Sequence, residues 1–206
     1  MAKSKSSRRW LQEHRADRYV KQSKQQGYRS RASYKLLELH DKDCLFKRGM
    51  AVVDLGSSPG GWSQVAATLV TDSGFVLASD MLPMDAIPGV NFIQGDFTEE
   101  PVLTQLLIEL GDRRVDLVIS DMAPNISGMA AIDQPRSMCL VELALAMAVK
   151  VLKPGGDFVV KVFQGEGFDI VLSEMRTNFD RVIVRKPPSS RSRSKEMYWV
   201  AKGFKG

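Results

Sequence analysis

Lys161 lies in the run Phe158-Val159-Val160-Lys161-Val162-Phe163, with apolar residues on both sides. Such a run reads as a buried strand. A buried amine is costly unless its head reaches a polar site; otherwise the head snorkels to water along its apolar stem. Asp121 follows a second apolar run, Val115–Ser120. Together the two residues could activate a weak nucleophile such as a hydroxyl. The lysine, once neutral, takes the proton, and the carboxylate orients the amine. Free lysine titrates near ~10.4, so such a site either lowers that value or works through a small neutral fraction. Burial and a neighbouring cation would lower it, and Asp121 would oppose them.

Further acids fall at comparable places. Asp54 precedes the segment Gly56-Ser57-Ser58-Pro59-Gly60-Gly61-Trp62, Asp80 follows at the end of the next apolar run, and Asp96 lies in Gln94-Gly95-Asp96-Phe97. A glycine-rich turn between strand and helix lets backbone approach a ligand closely. A dinucleotide site prefers G-x-G-x-x-G; here Ser58 holds the second fixed position and Pro59 follows, a poor fit to a pyrophosphate. S-adenosylmethionine has no phosphate. Gly56, Gly60 and Gly61 could make room for its amino-acid tail, and the following helix N-terminus could receive the carboxylate. Asp80 sits where an acid accepts from ribose hydroxyls, and Asp96 could accept from the adenine amino group. Each acid alone reads equally well as a helix cap. All four of Asp54, Asp80, Asp96 and Asp121 at one edge read better as a ligand rim.

The elements that must position these residues alternate. Apolar runs at Ala51–Leu55, Phe75–Ser79, Asn91–Gln94, Val115–Ser120 and Asp157–Phe163 read as strands. Trp62–Leu69, Glu99–Leu110 and Phe168–Asn178 read as helices. Residues 122–134 read as a loop, with Pro135 in the first turn of a helix reaching Leu152. Lys153-Pro154-Gly155-Gly156 stops that helix. Arg181–Arg185 and Met197–Lys202 are late strands joined by a polar loop. Alternation implies a mostly parallel sheet with helices on both faces. The last two strands lack a crossover helix, which predicts an antiparallel edge. Ligands of such sheets bind at the carboxyl ends of the strands.

Charge is segregated. The net charge of +5 divides into +9 over residues 1–35, −11 over 36–180 and +7 over 181–206. An acidic body with two basic ends points to a polyanion held by the ends, although two solvated tails would look similar. Tyr28-Arg29-Ser30-Arg31-Ala32-Ser33-Tyr34 mixes arginines with aromatics, as phosphate binding with base stacking requires. Arg185-Lys186-Pro187 and Ser190-Arg191-Ser192-Arg193 supply a second cationic patch. Residues 1–9 are basic and serine-rich with no apolar segment following, so a secretory signal is not expected and a short RNA-binding arm is. No run is long enough to cross a membrane. Cys44 and Cys139 have no zinc-ligand spacing, so no metal is expected, and two isolated cysteines predict buried thiols in a reducing compartment.

Four segments together resemble the FtsJ/RrmJ group of bacterial 23S ribosomal RNA uridine 2′-O-methyltransferases. They are Asp54–Trp62, Ser120-Asp121-Met122-Ala123-Pro124-Asn125, Val160–Gly165, and Arg185-Lys186-Pro187 with Ser189-Ser190-Arg191. The resemblance spans about 9–201. It implies an α/β, Rossmann-like class I methyltransferase fold with S-adenosylmethionine as methyl donor and a uridine of the 23S A loop as target. Its Lys–Asp–Lys–Glu catalytic pattern falls on Lys35, Asp121, Lys161 and Glu196. The donor residues become Asp54, Gly56, Gly60, Gly61, Trp62, Asp80, Asp96 and Asp121. The RNA contacts are expected at Arg29, Arg31, Tyr34, Lys186, Arg191 and Arg193. Residues 1–35 are expected to form a basic RNA-binding arm and helix, and 36–206 the catalytic domain, in a cytoplasmic monomer that acts on large-subunit ribosomal RNA. Members often have alanine where this chain has Ser57-Ser58, a change expected to leave binding intact. A base amino-methyltransferase would carry an aromatic after its Asp/Asn-Pro-Pro, which Asp121–Asn125 lacks. A noncatalytic RNA-binding factor would not need Asp121 and Lys161 together.

Overall fold

A computed structural model describes residues 17–206; residues 1–16, part of the expected arm, lie outside the described residues. Two helices lead, α1 (Arg18–Gln26) and α2 (Ala32–Asp43). The Asp17 side chain caps α1 by accepting from the Tyr19 amide, and Gly27 ends it with φ 74°. Then follow β1 (Ala51–Leu55), α3 (Gly61–Val70), β2 (Phe75–Asp80), β3 (Val90–Gln94), α4 (Glu100–Leu110) and β4 (Val115–Ser120). The chain closes with α5 (Ala130–Val151), β5 (Leu152–Phe163), α6 (Phe168–Asn178), β6 (Phe179–Arg185) and β7 (Glu196–Phe204).

The seven strands form one sheet in the order β3-β2-β1-β4-β5-β7-β6. Pairing is parallel from β3 to β5, and β7 runs antiparallel to both β5 and β6. Helices cover both faces. Leu36, Leu39, Trp62 and Val65 from α2 and α3 pack on Val159, Tyr198 and Val200. Leu106, Val141, Leu145 and Leu172 from α4, α5 and α6 pack on Phe158, Val160 and Trp199. Burial on both faces is why β1 is apolar at nearly every position rather than alternating. The chain reverses between β1 and β4, the switch point at which sheets of this type open a crevice.

Three expectations need correction. The long helix begins at Ala130, so Pro135 lies inside it rather than in its first turn. Asp133 fixes the earlier start by accepting from the Ser127 amide and hydroxyl and the Gly128 amide. Residues 153–156 do not separate helix from strand; β5 starts at Leu152 and bulges there, its register passing from Val115↔Leu152 to Leu117↔Asp157. Both thiols are exposed rather than buried. Cys44 turns outward after α2 with φ 50°, and Cys139 lies on the outer side of α5, next to buried Met138. Helix α2 runs unbroken through residues 35 and 36, so the expected division there falls within one packed element. Among the described residues no helix is long and apolar enough to cross a membrane.

Candidate active site

Strand register assembles the catalytic candidates. Ser120 pairs with Val160 across parallel β4 and β5, which brings Asp121 beside Lys161. Antiparallel β5 and β7 pair Lys161 with Tyr198 and Phe163 with Glu196. Side chains two apart in a strand share a face, so Lys161, Tyr198 and Glu196 point the same way. Helix α2 covers that face and delivers Lys35. The Lys161 amine lies 3.1 Å from Asp121 Oδ1 and also donates to the Asp121 carbonyl oxygen. Lys35 Nζ lies 2.8 Å from Glu196 Oε1 and 3.9 Å from Asp121 Oδ1. The Tyr198 hydroxyl donates to Asp121 Oδ1 at 2.6 Å, and the Ser190 hydroxyl to Glu196 Oε1 at 2.8 Å. Lys161 and Lys35 are 7% and 8% exposed, so both amines are held by partners rather than by water. Burial pushes the Asp121 carboxyl up, but Lys161, Lys35 and the Tyr198 bond outweigh it and leave it below the usual carboxylate range. Tyr198 is pushed well up by burial and by Asp121 and Glu196, so its phenol stays a donor.

A second group of polar atoms lines the ends of β1, β2 and β4. Asp54 is 1% exposed; its Oδ2 accepts from Ser63 Oγ at 2.5 Å, and its Oδ1 has no partner. The hydroxyls of Ser57, Ser79 and Ser120 are also buried without partners. Buried polar atoms are nearly always satisfied, so four such atoms at adjacent strand ends fit a polar ligand. Asp80 joins this edge, accepting from the Ser58 and Leu82 amides at 2.8 Å each. Burial raises the Asp54 carboxyl to about 7; the Ser63 bond opposes this, while Asp121 and Asp80 add to it. A carboxyl raised on folding contributes stability below its unfolded pKa and loses it as pH rises through the folded one. Asp54→Asn is therefore expected to stabilise the ligand-free protein by about 2–4 kcal/mol at pH 8. The gain should vanish near pH 4. Urea titrations across that range check it; a pH-independent difference would mean that ionisation of Asp54 is not its cause.

The profile of the FtsJ-like methyltransferase family matches residues 28–204. The chain belongs to the FtsJ-like methyltransferase family. It is 63% identical over 206 residues to the ribosomal RNA large subunit methyltransferase E of Cellvibrio japonicus, covering 100% of this chain and 98% of the relative. It is 60% identical over 206 residues to the protein of that name from Pseudomonas aeruginosa PAO1, covering all of both chains. Among solved structures, a putative ribosomal RNA methyltransferase of Plasmodium falciparum superposes with TM-score 0.76 at 31% identity, over 87% of this chain and 100% of that one. A putative rRNA-methylase structure from Clostridium thermocellum, at TM-score 0.56 and 18% identity over 84% of this chain and 95% of that one, shares the fold.

In this FtsJ-like chain the glycine loop is occupied largely by the protein itself. A Cβ on Gly56 would strike Met122, and one on Gly60 would lie 2.6 Å from Ile87 and 2.9 Å from Met84. A Cβ on Gly61 would strike Ser30 and come within 2.9 Å of Ser33, so this glycine serves the close approach of α2 to α3. The Trp62 ring is buried against Tyr198 and its N–H donates to the Ala32 carbonyl at 2.8 Å, which leaves only its backbone toward the loop. Asp96 opens the turn before α4, accepting from the Thr98 amide and hydroxyl.

The RNA candidates divide. Arg29 donates to the carbonyls of Pro59, Asp85 and Ala86 and so ties together the loops that follow β1 and β2. Tyr34 is buried in a cluster with Tyr19 and Tyr28 and bonds Gln26, so its ring is not open to stack a base. Lys186 donates to the Ser194 and Glu196 carbonyls and shapes the β6–β7 loop. Arg31, Arg191 and Arg193 line a cavity of about 450 Å³ with Lys35, Glu196, Ile126 and Phe163. Asp17 lies 2.9 Å from the Arg31 guanidinium and 3.6 Å from that of Arg191. Sequence reasoning missed Tyr198, Ser190, Ile126 and Phe163. Tyr198 was recoverable, being two residues beyond Glu196 in a strand. Phe163 and Ser190 lie inside segments that carry the resemblance, though nothing in their own type marks them, and Ile126 carries no local signal.

Proposed function

We propose that the protein methylates the ribose 2′-hydroxyl of a uridine in 23S ribosomal RNA, in the A loop, with S-adenosylmethionine as donor. On this reading it acts in the cytoplasm as a monomer during maturation of the large ribosomal subunit. The observation that carries the reading is the Lys35–Asp121–Lys161–Glu196 cluster beside the unpartnered polar atoms of the donor edge. A base amino-methyltransferase has no use for two buried lysines, and a noncatalytic RNA-binding factor has no use for either group. The names of the relatives supply the ribosomal RNA. No metal is part of this reading.

The bound donor supplies an electrophilic methyl group on a sulfonium. Asp80 and Asp96 would take its ribose and adenine, and Asp54 with the backbone of Gly56, Gly60, Gly61 and Trp62 would face its amino-acid tail. A positively charged donor suits an edge that carries Asp54, Asp80 and Asp121. Lys161, in its neutral form, accepts the hydroxyl proton, and Asp121 holds the amine on line while itself fixed by Tyr198. Lys35 and Glu196 orient the nucleotide, whose base and phosphates enter the cavity between Ile126 and Phe163 against Arg31, Arg191 and Arg193. Lys186 acts indirectly, through the loop it shapes.

The experiment is methyl transfer from labelled donor to undermethylated large-subunit particles, with the modified atom mapped. Label on a ribose oxygen is the expected result; label on a base nitrogen overturns the reading. Asp80→Ala should weaken donor binding by roughly 1.5–3 kcal/mol through loss of charge-assisted acceptors. Calorimetry on the folded variant checks this, and unchanged affinity removes Asp80 from the donor site.

A further inference from the structure

The loops that follow β1–β5 differ in charge from the segments at the opposite edge of the sheet. Those leaving β1–β5 at the active-site edge, residues 56–60, 81–89, 95–99, 121–129 and 164–167, contain no lysine or arginine. They carry Asp85, Asp96, Glu99, Asp121 and Glu166. The cations of that edge lie in the β6–β7 loop, at Lys186, Arg191, Arg193 and Lys195. The segments at the opposite edge, residues 44–50, 71–74 and 111–114 and the bulge at 153–156, carry Lys47, Arg48, Arg113, Arg114 and Lys153 against Asp72 and Asp112. An edge with acidic loops after β1–β5 suits a cationic methyl donor. It does not account for cations gathered at the other end of a body whose net charge is negative.

Some of these cations have structural work. Helices end at this edge, and cations favour helix C-termini. Arg113 donates to the Glu109 and Leu110 carbonyls and lies over the Phe75 ring. Lys153 pairs with Asp116, and Lys202 with Asp157 at 2.7 Å. Both carboxylates are also bonded to backbone, Asp116 to the Ala51 amide and Asp157 to the Gly203 amide. What remains is Lys47, Arg48 and Arg114, which pair with no carboxylate among the described residues. Lys47 and Arg48 line a cavity of about 370 Å³, together with Lys153, Lys202 and the two neutralised aspartates. Four cations and two anions leave this concavity with an excess of two positive charges.

We propose that this cavity is a second phosphate-binding site, which takes the RNA backbone at a distance from the methylated nucleotide. The proposal rests on RNA being the substrate. Asp116 and Asp121 stand five residues apart along β4, about 16 Å at strand rise, so the two sites face opposite edges of the protein. RNA that fills both must follow the protein from one edge of the sheet to the other, a longer path than contact at the active site alone. The second site thus favours longer RNA without reading sequence.

The test compares wild type, Lys47→Glu with Arg48→Glu, the charge-preserving swap Lys47→Arg with Arg48→Lys, and Arg191→Glu with Arg193→Glu. Each is titrated with a long transcript of large-subunit ribosomal RNA at several salt concentrations. Donor affinity by calorimetry reports an intact fold. The reversal at 47 and 48 should weaken binding about 10–100-fold near ~0.1 M salt and flatten the log–log salt dependence by about two. The swap should bind as wild type, and donor affinity should stay unchanged in all. An unaltered affinity and slope in the reversal overturns the second site, as does an equal loss in the swap. If the Arg191/Arg193 reversal alone loses affinity, RNA recognition at the active site stands and this proposal falls. If wild type shows no salt-dependent binding, the RNA reading falls with it.

Discussion

Lys161→Ala is expected to lower single-turnover methyl transfer by roughly 10²–10⁴-fold, the range for loss of a positioned acid–base group. Fold and donor binding should survive, because Asp121 keeps the Tyr198 hydroxyl at 2.6 Å and has Lys35 at 3.9 Å. Lys161→Arg separates two roles. Arginine keeps the positive charge but does not become a neutral base at accessible pH. A lysine that only steadied negative charge would be partly replaced by arginine; a proton acceptor would not. Rates at saturating donor and RNA isolate the chemical step. Near-normal turnover in Lys161→Ala removes this residue from the mechanism, and substantial rescue by arginine makes it an electrostatic group instead.

Asp121→Ala is expected to damage both stability and turnover. Asp121 is the shared partner of two buried amines and a buried phenol. Its removal leaves Lys161 without its carboxylate, while Lys35 keeps Glu196 at 2.8 Å; a buried pair that loses one member costs about 3–5 kcal/mol. The sign with pH follows from the lowered carboxyl. A depressed carboxylate contributes stability above its unfolded pKa and loses it as pH falls through the folded one. The gap between wild type and variant should therefore be full at neutral pH and close in strong acid. Urea titrations from pH 7 to pH 2 measure it. A gap that does not change over that range would mean that packing, and not charge, gives Asp121 its weight. Turnover of the folded fraction should fall by at least about 10²-fold, since Lys161 loses the group that orients it.

The alternation of apolar runs and helical stretches was sufficient to read the parallel core from β1 to β5, because a strand buried on both faces leaves a continuous apolar signature. Boundaries were read less well where a distant side chain decides them. Asp133 folds back on Ser127 and Gly128 and starts α5 ahead of Pro135, and nothing in the residues before the proline announces that contact. The exposure of both cysteines followed from which way one helix cap and one helix face happened to turn. Lys161 was legible as a site residue because an amine amid apolar neighbours must either reach a polar site or snorkel to water. Lys35 and Glu196 were ordinary surface charges until a resemblance singled them out. Arg29 and Tyr34 read as RNA contacts by type, yet folding commits one to loop carbonyls and the other to a tyrosine cluster.

The sequence by itself determined the class of sheet, the acids at its strand ends, the buried lysine and the basic ends. These are matters of local composition and period, which short-range sterics and burial impose directly. Only the tertiary structure decided that β7 enters between β5 and β6 and turns Glu196 and Tyr198 onto the face of Lys161. It also decided that α2 lies across that face, so that Lys35 reaches Glu196 from 161 positions away. Contacts of that separation depend on strand order and helix placement, and those are set by how the whole chain buries its apolar surface.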